Sequence, residues 1–149
     1  MYQLSLAVLE QLRQEIANQL LDMPWQYERL SLPELQEIAN GIGPDKWPAL
    51  EHQLADDTLA TFLVDSVGHD IRYEFGDGTE FDWHSANQQF LENCHRTADH
   101  LHHGGFIEDA ERVCLHEVAS LLFDAVETPT GWQSYRAAHA RGPAVVVIP

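Results

Sequence analysis

The sequence is poor in positively charged residues. Its 149 residues include eight Lys and Arg against 24 Asp and Glu, and Lys46 is the only lysine. The formal net charge of −16 exceeds the magnitude of about 2 to 8 that suits a small soluble domain. Such a surface repels nucleic acid and anionic membranes and attracts basic partners. We therefore expect neither direct nucleic-acid binding nor membrane binding.

Cysteines and long apolar runs are also scarce. Two cysteines and the lack of a secretory leader favour a cytoplasmic protein with thiols rather than a disulfide framework. The longest apolar run, "AVVVI" at residues 144–148, is far shorter than the roughly 20 residues of a membrane span. The length fits a single domain over residues 1–149.

Apolar residues recur at helical spacing through most of the chain, which predicts an α+β fold that is mostly α. Capping signals, prolines and glycines set the expected limits of five to six helices. The second helix follows the capping box Ser31 to Glu34, and Gly68 is expected to end the third. The other predicted ranges are 4–23, 48–67, 85–103, 107–127 and 132–140.

The segment from Ile71 to Trp83, "IRYEFGDGTEFDW", predicts a β-hairpin. A three-residue Gly-Asp-Gly loop with Gly78 in the bulge position sorts the two faces cleanly. The apolar face then holds Ile71, Tyr73, Phe75, Phe81 and Trp83, and the outer face holds Glu74, Glu80 and Asp82. A lone hairpin is marginally stable, so we expect residues 144–148 to add a third strand, or to lie in a homo-oligomer interface.

Acidic residues are concentrated around this segment. Residues 65–82 contain six acids with Arg72 as the only base. Like charges held on a rigid frame repel one another, and a basic partner would relieve that cost. We therefore predict a partner-binding face that consists of Asp65, Asp70, Glu74, Asp77, Glu80 and Asp82.

A cluster of potential metal ligands follows in the residues 94–116, and it includes His-Glu of "VCLHEVASLLF". A zinc protease needs a second histidine four positions after the first, where this chain has Ser120, so His116 is expected on the surface. Cys94 and Cys114 lie on apolar stripes and are predicted to be buried. His95, Asp99 and His102 or His103 share a helix face that could hold a metal, but histidines at a helix C-terminus are also favoured by the helix dipole. No metal or cofactor is assigned, and the candidate ligands are Cys94, His95, His100, His102, His103, Cys114 and His116.

No nucleophile elbow or phosphate-binding glycine loop is present in the sequence. We therefore predict a non-enzymatic acidic protein that docks on a basic surface of a protein partner. A narrower form of this prediction is a nucleic-acid mimic that inhibits a restriction or CRISPR-type system. Phages and plasmids use small acidic proteins of this kind against such systems. Two alternatives stay open: a metal-binding protein or metal-dependent enzyme that uses residues 94–116, and an acidic housekeeping or halophilic protein.

Overall fold

The computed structural model describes residues 4–39 and 56–149. Within them the chain forms seven α-helices and one short 3-10 helix, at Trp25–Arg29, and no β-strand. The α-helices are α1 (Leu6–Gln19), α2 (Leu32–Ile38), α3 (Asp56–Thr61), α4 (Leu63–Glu74), α5 (Glu80–His103), α6 (Asp109–Val126) and α7 (Pro129–Arg141).

The predicted β-hairpin is wrong. Ile71 and Tyr73 lie on the last turns of α4, and Trp83 lies on the first turn of α5. Phe81, which the hairpin register placed in the core, is 84% exposed. The alternation of apolar residues that suggested a strand arises because α4 is buried on several faces at once, so Ile71 and Tyr73 are covered by different neighbours.

The predicted third strand is wrong as well, since the described residues after Gly142 form neither helix nor strand. Val145 and Val147 pack against the core that α1, α2 and α4 share, while Val146 and Ile148 are exposed. The tail therefore covers one edge of the helical core without a pairing strand. An oligomer interface at this tail stays a prediction.

Helix α4 lies at the centre of the described fold and packs against α1, α2, α5, α7 and the 3-10 helix. The sequence predicted a helix end at Gly68, but α4 continues through it. A Cβ atom at this position would stand 3.1 Å from the Met23 sulfur and 3.8 Å from a Pro24 ring carbon. Glycine thus allows the chain after α1 to cross closely over α4, and a larger residue would require the Met23 side chain to shift.

Most of the other predicted helices are confirmed, with shifted ends. Helix α1 stops earlier than expected because Leu20 adopts a left-handed conformation, with φ of 54°. Helix α5 begins earlier than residue 85, since the Thr79 hydroxyl accepts the N–H of Asp82 and caps the helix.

Ser31 caps α2 as predicted, and Thr128 caps α7 ahead of Pro129. The predicted third helix is replaced by α3 and the first half of α4, and its start at Pro48 lies outside the described residues.

Two further apolar clusters complete the core. Phe62, Phe90 and Leu122 belong to a cluster between α5 and α6, and Trp83 and Tyr135 belong to one between α4, α5 and α7. In the described part of the chain, no helix combines the length and the apolar character that crossing a membrane requires.

Candidate functional site

The six acidic residues predicted to form one binding face are separated by the fold. Asp65 is buried on α4, with 1% of its surface exposed. The Thr97 hydroxyl lies 2.9 Å from both carboxyl oxygens of Asp65 and 2.8 Å from the Gln19 side-chain oxygen. Because one hydroxyl proton cannot serve three acceptors, the arrangement favours a protonated Asp65. Burial raises the pKa of Asp65 to about 8, so this residue is no part of a charged surface.

Asp82 is tied into the structure rather than directed at a partner. Its Oδ1 accepts a hydrogen bond from Arg72 (3.2 Å), and its Oδ2 accepts one from the Tyr135 hydroxyl (2.5 Å). The Gly78 N–H donates to the same hydroxyl (2.9 Å). A Cβ atom on Gly76 would stand 2.5 Å from the Tyr135 hydroxyl, so the Gly-Asp-Gly sequence serves this close approach of α7 and not a hairpin loop.

Three of the predicted acids lie together where α4 turns into α5, and we call Glu74, Asp77 and Glu80 the acidic corner. Asp77 and Glu80 are exposed and Glu74 is half-buried. Asp77 accepts hydrogen bonds from the Thr79 hydroxyl and N–H, which hold its pKa below the usual value. Glu74 accepts from the Ala144 N–H. The sixth acid, Asp70, is half-buried on α4, one helical turn before Glu74.

Within the histidine-rich segment, the structure joins α5 and α6 through three side chains. Nε2 of His116 lies 2.8 Å from Asp99 Oδ1, and Nδ1 of His116 contacts Nδ1 of His95. The planes of the two imidazole rings are nearly parallel, at 21°, with centroids 4.5 Å apart, and the rings meet at their Nδ1 edges. Burial, and then the neighbouring His116, lowers the pKa of His95, while Asp99 opposes that shift. His116 therefore lies at the surface, with 32% of its side chain exposed, but its ring also contacts Asp99 and His95, and the prediction of a solvated histidine missed these contacts.

The remaining potential ligands are dispersed. Cys94 is buried as predicted, and burial raises the pKa of its thiol. Cys114 is exposed, which contradicts the predicted core position. His102 pairs with Asp109 at 2.5 Å, near the start of α6. Among residues 4–39 and 56–149, no group of three or more His, Cys, Asp or Glu side chains is arranged to hold a metal ion.

A buried polar network around Asn87 was missed by the sequence reasoning. Asn87 Oδ1 lies 2.8 Å from His69 Nε2 and accepts a hydrogen bond from the Tyr73 hydroxyl, also at 2.8 Å. Trp83 Nε1 donates to that hydroxyl at 3.1 Å. Asn87 Nδ2 donates to the Val126 carbonyl, which fixes the amide orientation and makes His69 Nε2 a donor.

This network joins α4, α5 and the C-terminal end of α6, and its polar atoms satisfy one another inside the core. Buried and mutually bonded polar groups favour one packing arrangement, because an unpaired partner is costly. His69 and Tyr73 are one helical turn apart, which indicates that both face the same neighbour. This signal was missed because the hairpin prediction assigned Tyr73 to a strand.

Comparison with known proteins finds no matching family model, no matching curated protein and no matching solved structure.

Proposed function

We propose that the protein is a non-enzymatic acidic binding protein that docks on a basic surface of a protein partner through the acidic corner. The observation that carries the proposal is the net charge of −16. Charge of this size steers basic partners at long range, and exposed carboxylates then provide the close contacts.

The acidic corner suits this role better than the original set of six. Asp77 and Glu80 are exposed, and the lowered pKa of Asp77 keeps its carboxylate ionised at neutral pH. The nearby Arg72 forms a partly buried ion pair with Asp82, in which only 20% of each side chain is exposed. Its positive charge is therefore balanced by Asp82 and not by the acidic corner. The imidazole of His139 lies beside the corner, with its Nδ1 3.1 Å from the Gly76 carbonyl oxygen.

The test compares two triple variants that change the net charge equally, from −16 to −13. The corner variant is Glu74→Gln, Asp77→Asn and Glu80→Gln, in which asparagine retains an acceptor for Thr79. The control variant is Glu10→Gln, Glu28→Gln and Glu37→Gln, at exposed positions near the N-terminal helices. The probe is a 20-residue oligolysine peptide, and its dissociation constant is measured by calorimetry at 50 mM and 500 mM salt.

We expect the corner variant to bind at least tenfold more weakly at 50 mM salt, since close interfacial charge pairs contribute about 1.5 kcal/mol or more each. The control should lose less than threefold, and both differences should shrink at 500 mM salt because the Debye length shortens. Equal losses in both variants would instead support a charge that serves only solubility, as in a halophilic protein.

The narrower form of the proposal makes the partner's basic surface a nucleic-acid-binding groove. A groove lined with lysine and arginine binds DNA through the regularly spaced phosphate charges of the DNA. The carboxylates of the acidic corner carry charges of the same sign as those phosphates. Duplex DNA should then displace the protein from its partner, at a concentration set by the partner's own affinity for DNA. Simultaneous binding of DNA and this protein would contradict the mimic.

A further inference from the structure

The contact between His95 and His116 determines where their ring protons lie. Asp99 Oδ1 is 2.8 Å from His116 Nε2, and a carboxylate oxygen accepts a hydrogen bond, so this nitrogen carries a proton. In a neutral ring, His116 Nδ1 then has a free lone pair. That lone pair points at Nδ1 of His95, across the interface between α5 and α6.

A carboxylate on the outer nitrogen is the arrangement that orients a metal-binding histidine in many proteins. It fixes the ring and raises the basicity of the other nitrogen. Imidazole nitrogens suit zinc, copper and nickel, whereas magnesium and calcium prefer oxygen ligands. The two facing Nδ1 atoms therefore offer the start of a site for a borderline transition-metal ion.

We propose that His95 and His116 form a two-histidine site for a divalent transition-metal ion such as Zn²⁺, with Asp99 as the carboxylate that orients His116. The protein's strong negative charge favours cation binding at this site. The site is independent of the docking proposal.

Access and remaining coordination follow from the surroundings. The three side chains line an open groove of about 500 Å³, together with Arg112, Val113, Glu117 and Ser120. Water completes the coordination, because Asp99 is engaged with the outer nitrogen of His116. The Nδ1 atoms stand closer than two ligands of one ion, each about 2.0–2.1 Å from zinc, so the rings separate when the ion enters. Arg112 Nη1, 3.9 Å from Asp99, adds a positive charge that limits the affinity.

The test is calorimetric titration of the full-length protein with Zn²⁺ at pH 7.5, in excess Mg²⁺ to occupy surface carboxylates. We expect one Zn²⁺ site in the wild type. The single variants His95→Gln and His116→Gln should each weaken it at least tenfold. Asp99→Asn keeps both histidines and should weaken it 10- to 100-fold, as loss of an orienting carboxylate does elsewhere. The control is His100→Gln with His103→Gln, which removes two histidines from the last turn of α5 and should leave the affinity unchanged.

A second measurement needs no variant. Zn²⁺ added to the wild type should shift the ring-proton resonances of His95 and His116 before those of the other seven histidines. The proposal is overturned if the control variant loses Zn²⁺ as strongly as His95→Gln, if Asp99→Asn binds like the wild type, or if the ring resonances of all histidines shift together.

Discussion

Replacing Asp65 with asparagine should make the protein more stable, by an amount that depends on pH. Asp65 is buried beside Thr97, and its pKa is raised from 3.8 to about 8. The folded state therefore binds a proton that the unfolded chain releases above pH 4. The stability that this protonated carboxyl provides is complete below about pH 4 and is lost progressively as pH rises to about 8.

The magnitude follows from the linkage between protonation and folding. One proton bound only by the folded state lowers the free energy of unfolding by about 1.4 kcal/mol for each pH unit. Between pH 5 and pH 7 the wild type should lose about 3 kcal/mol through Asp65 alone. Asparagine has nearly the same shape and no charge, so its stability should not depend on this proton. The free energy of unfolding of Asp65→Asn, relative to that of the wild type, should therefore rise by about 3 kcal/mol between pH 5 and pH 7.

Urea unfolding at half-unit steps from pH 5 to pH 7.5 measures the difference between variant and wild type, in which contributions from all other groups cancel. Asp77→Asn is the matched control. Its carboxyl is exposed with a lowered pKa, so it is ionised in both states throughout this range and the difference should stay constant. A constant difference for Asp65→Asn as well would refute the protonated, buried carboxyl.

Two further predictions concern packing. Asn87→Ala removes the acceptor that His69 and Tyr73 share, and should lower the free energy of unfolding by about 3 kcal/mol or more. The control Gln88→Ala, on the exposed side of α5, should change it by less than about 0.5 kcal/mol. Equal urea midpoints for these two variants would show that the network adds nothing. Deletion of residues 143–149 uncovers the core that Val145 and Val147 contact, and should cost about 1–3 kcal/mol in the same assay. If the elution volume in size-exclusion chromatography also changes, the tail lies in an oligomer interface. If neither stability nor elution volume changes, the packing of the tail contributes nothing to the stability of the fold.

Helices with a single buried face could be predicted from the sequence, because their apolar residues follow the helical period. Leu9, Leu12 and Ile16 of α1 are buried as expected, and so are Phe90 and Cys94 of α5. Their spacing of three and four residues places them on one stripe that faces the core.

Helix α4 could not be predicted in this way, because it is enclosed by neighbours and buries polar residues on its additional faces. Asp65 and His69 interrupt the apolar pattern, while Ile71, Tyr73 and Phe75 imitate the alternation of a strand. Only the spacing of Val64, Val67 and Ile71 carried the helical period.

His95 and His116 were both among the candidate ligands, but their contact with each other was missed for a different reason. The predicted buried stripe of α6 passed through Cys114, which is exposed. The buried residues are Val118, Ala119, Leu122 and Val126, and Leu115 packs beside them. A shift of one residue turns a helix by about 100°, which is enough to bring His116 from the expected solvent side to the edge of α5. Which residue of α5 it then meets depends on the packing of the two helices, which periodicity within either helix does not define.

Hydrogen–deuterium exchange of the wild-type protein, with and without saturating oligolysine at 50 mM salt, tests the location of charge-led docking most directly. Backbone amides gain protection where a bound partner excludes water or suppresses local opening. We predict that the peptide slows exchange in residues 74–82, around the acidic corner, and leaves the exposed acids of α6 unaffected. Protection centred on α6, or spread evenly over the helices, would contradict docking at the corner.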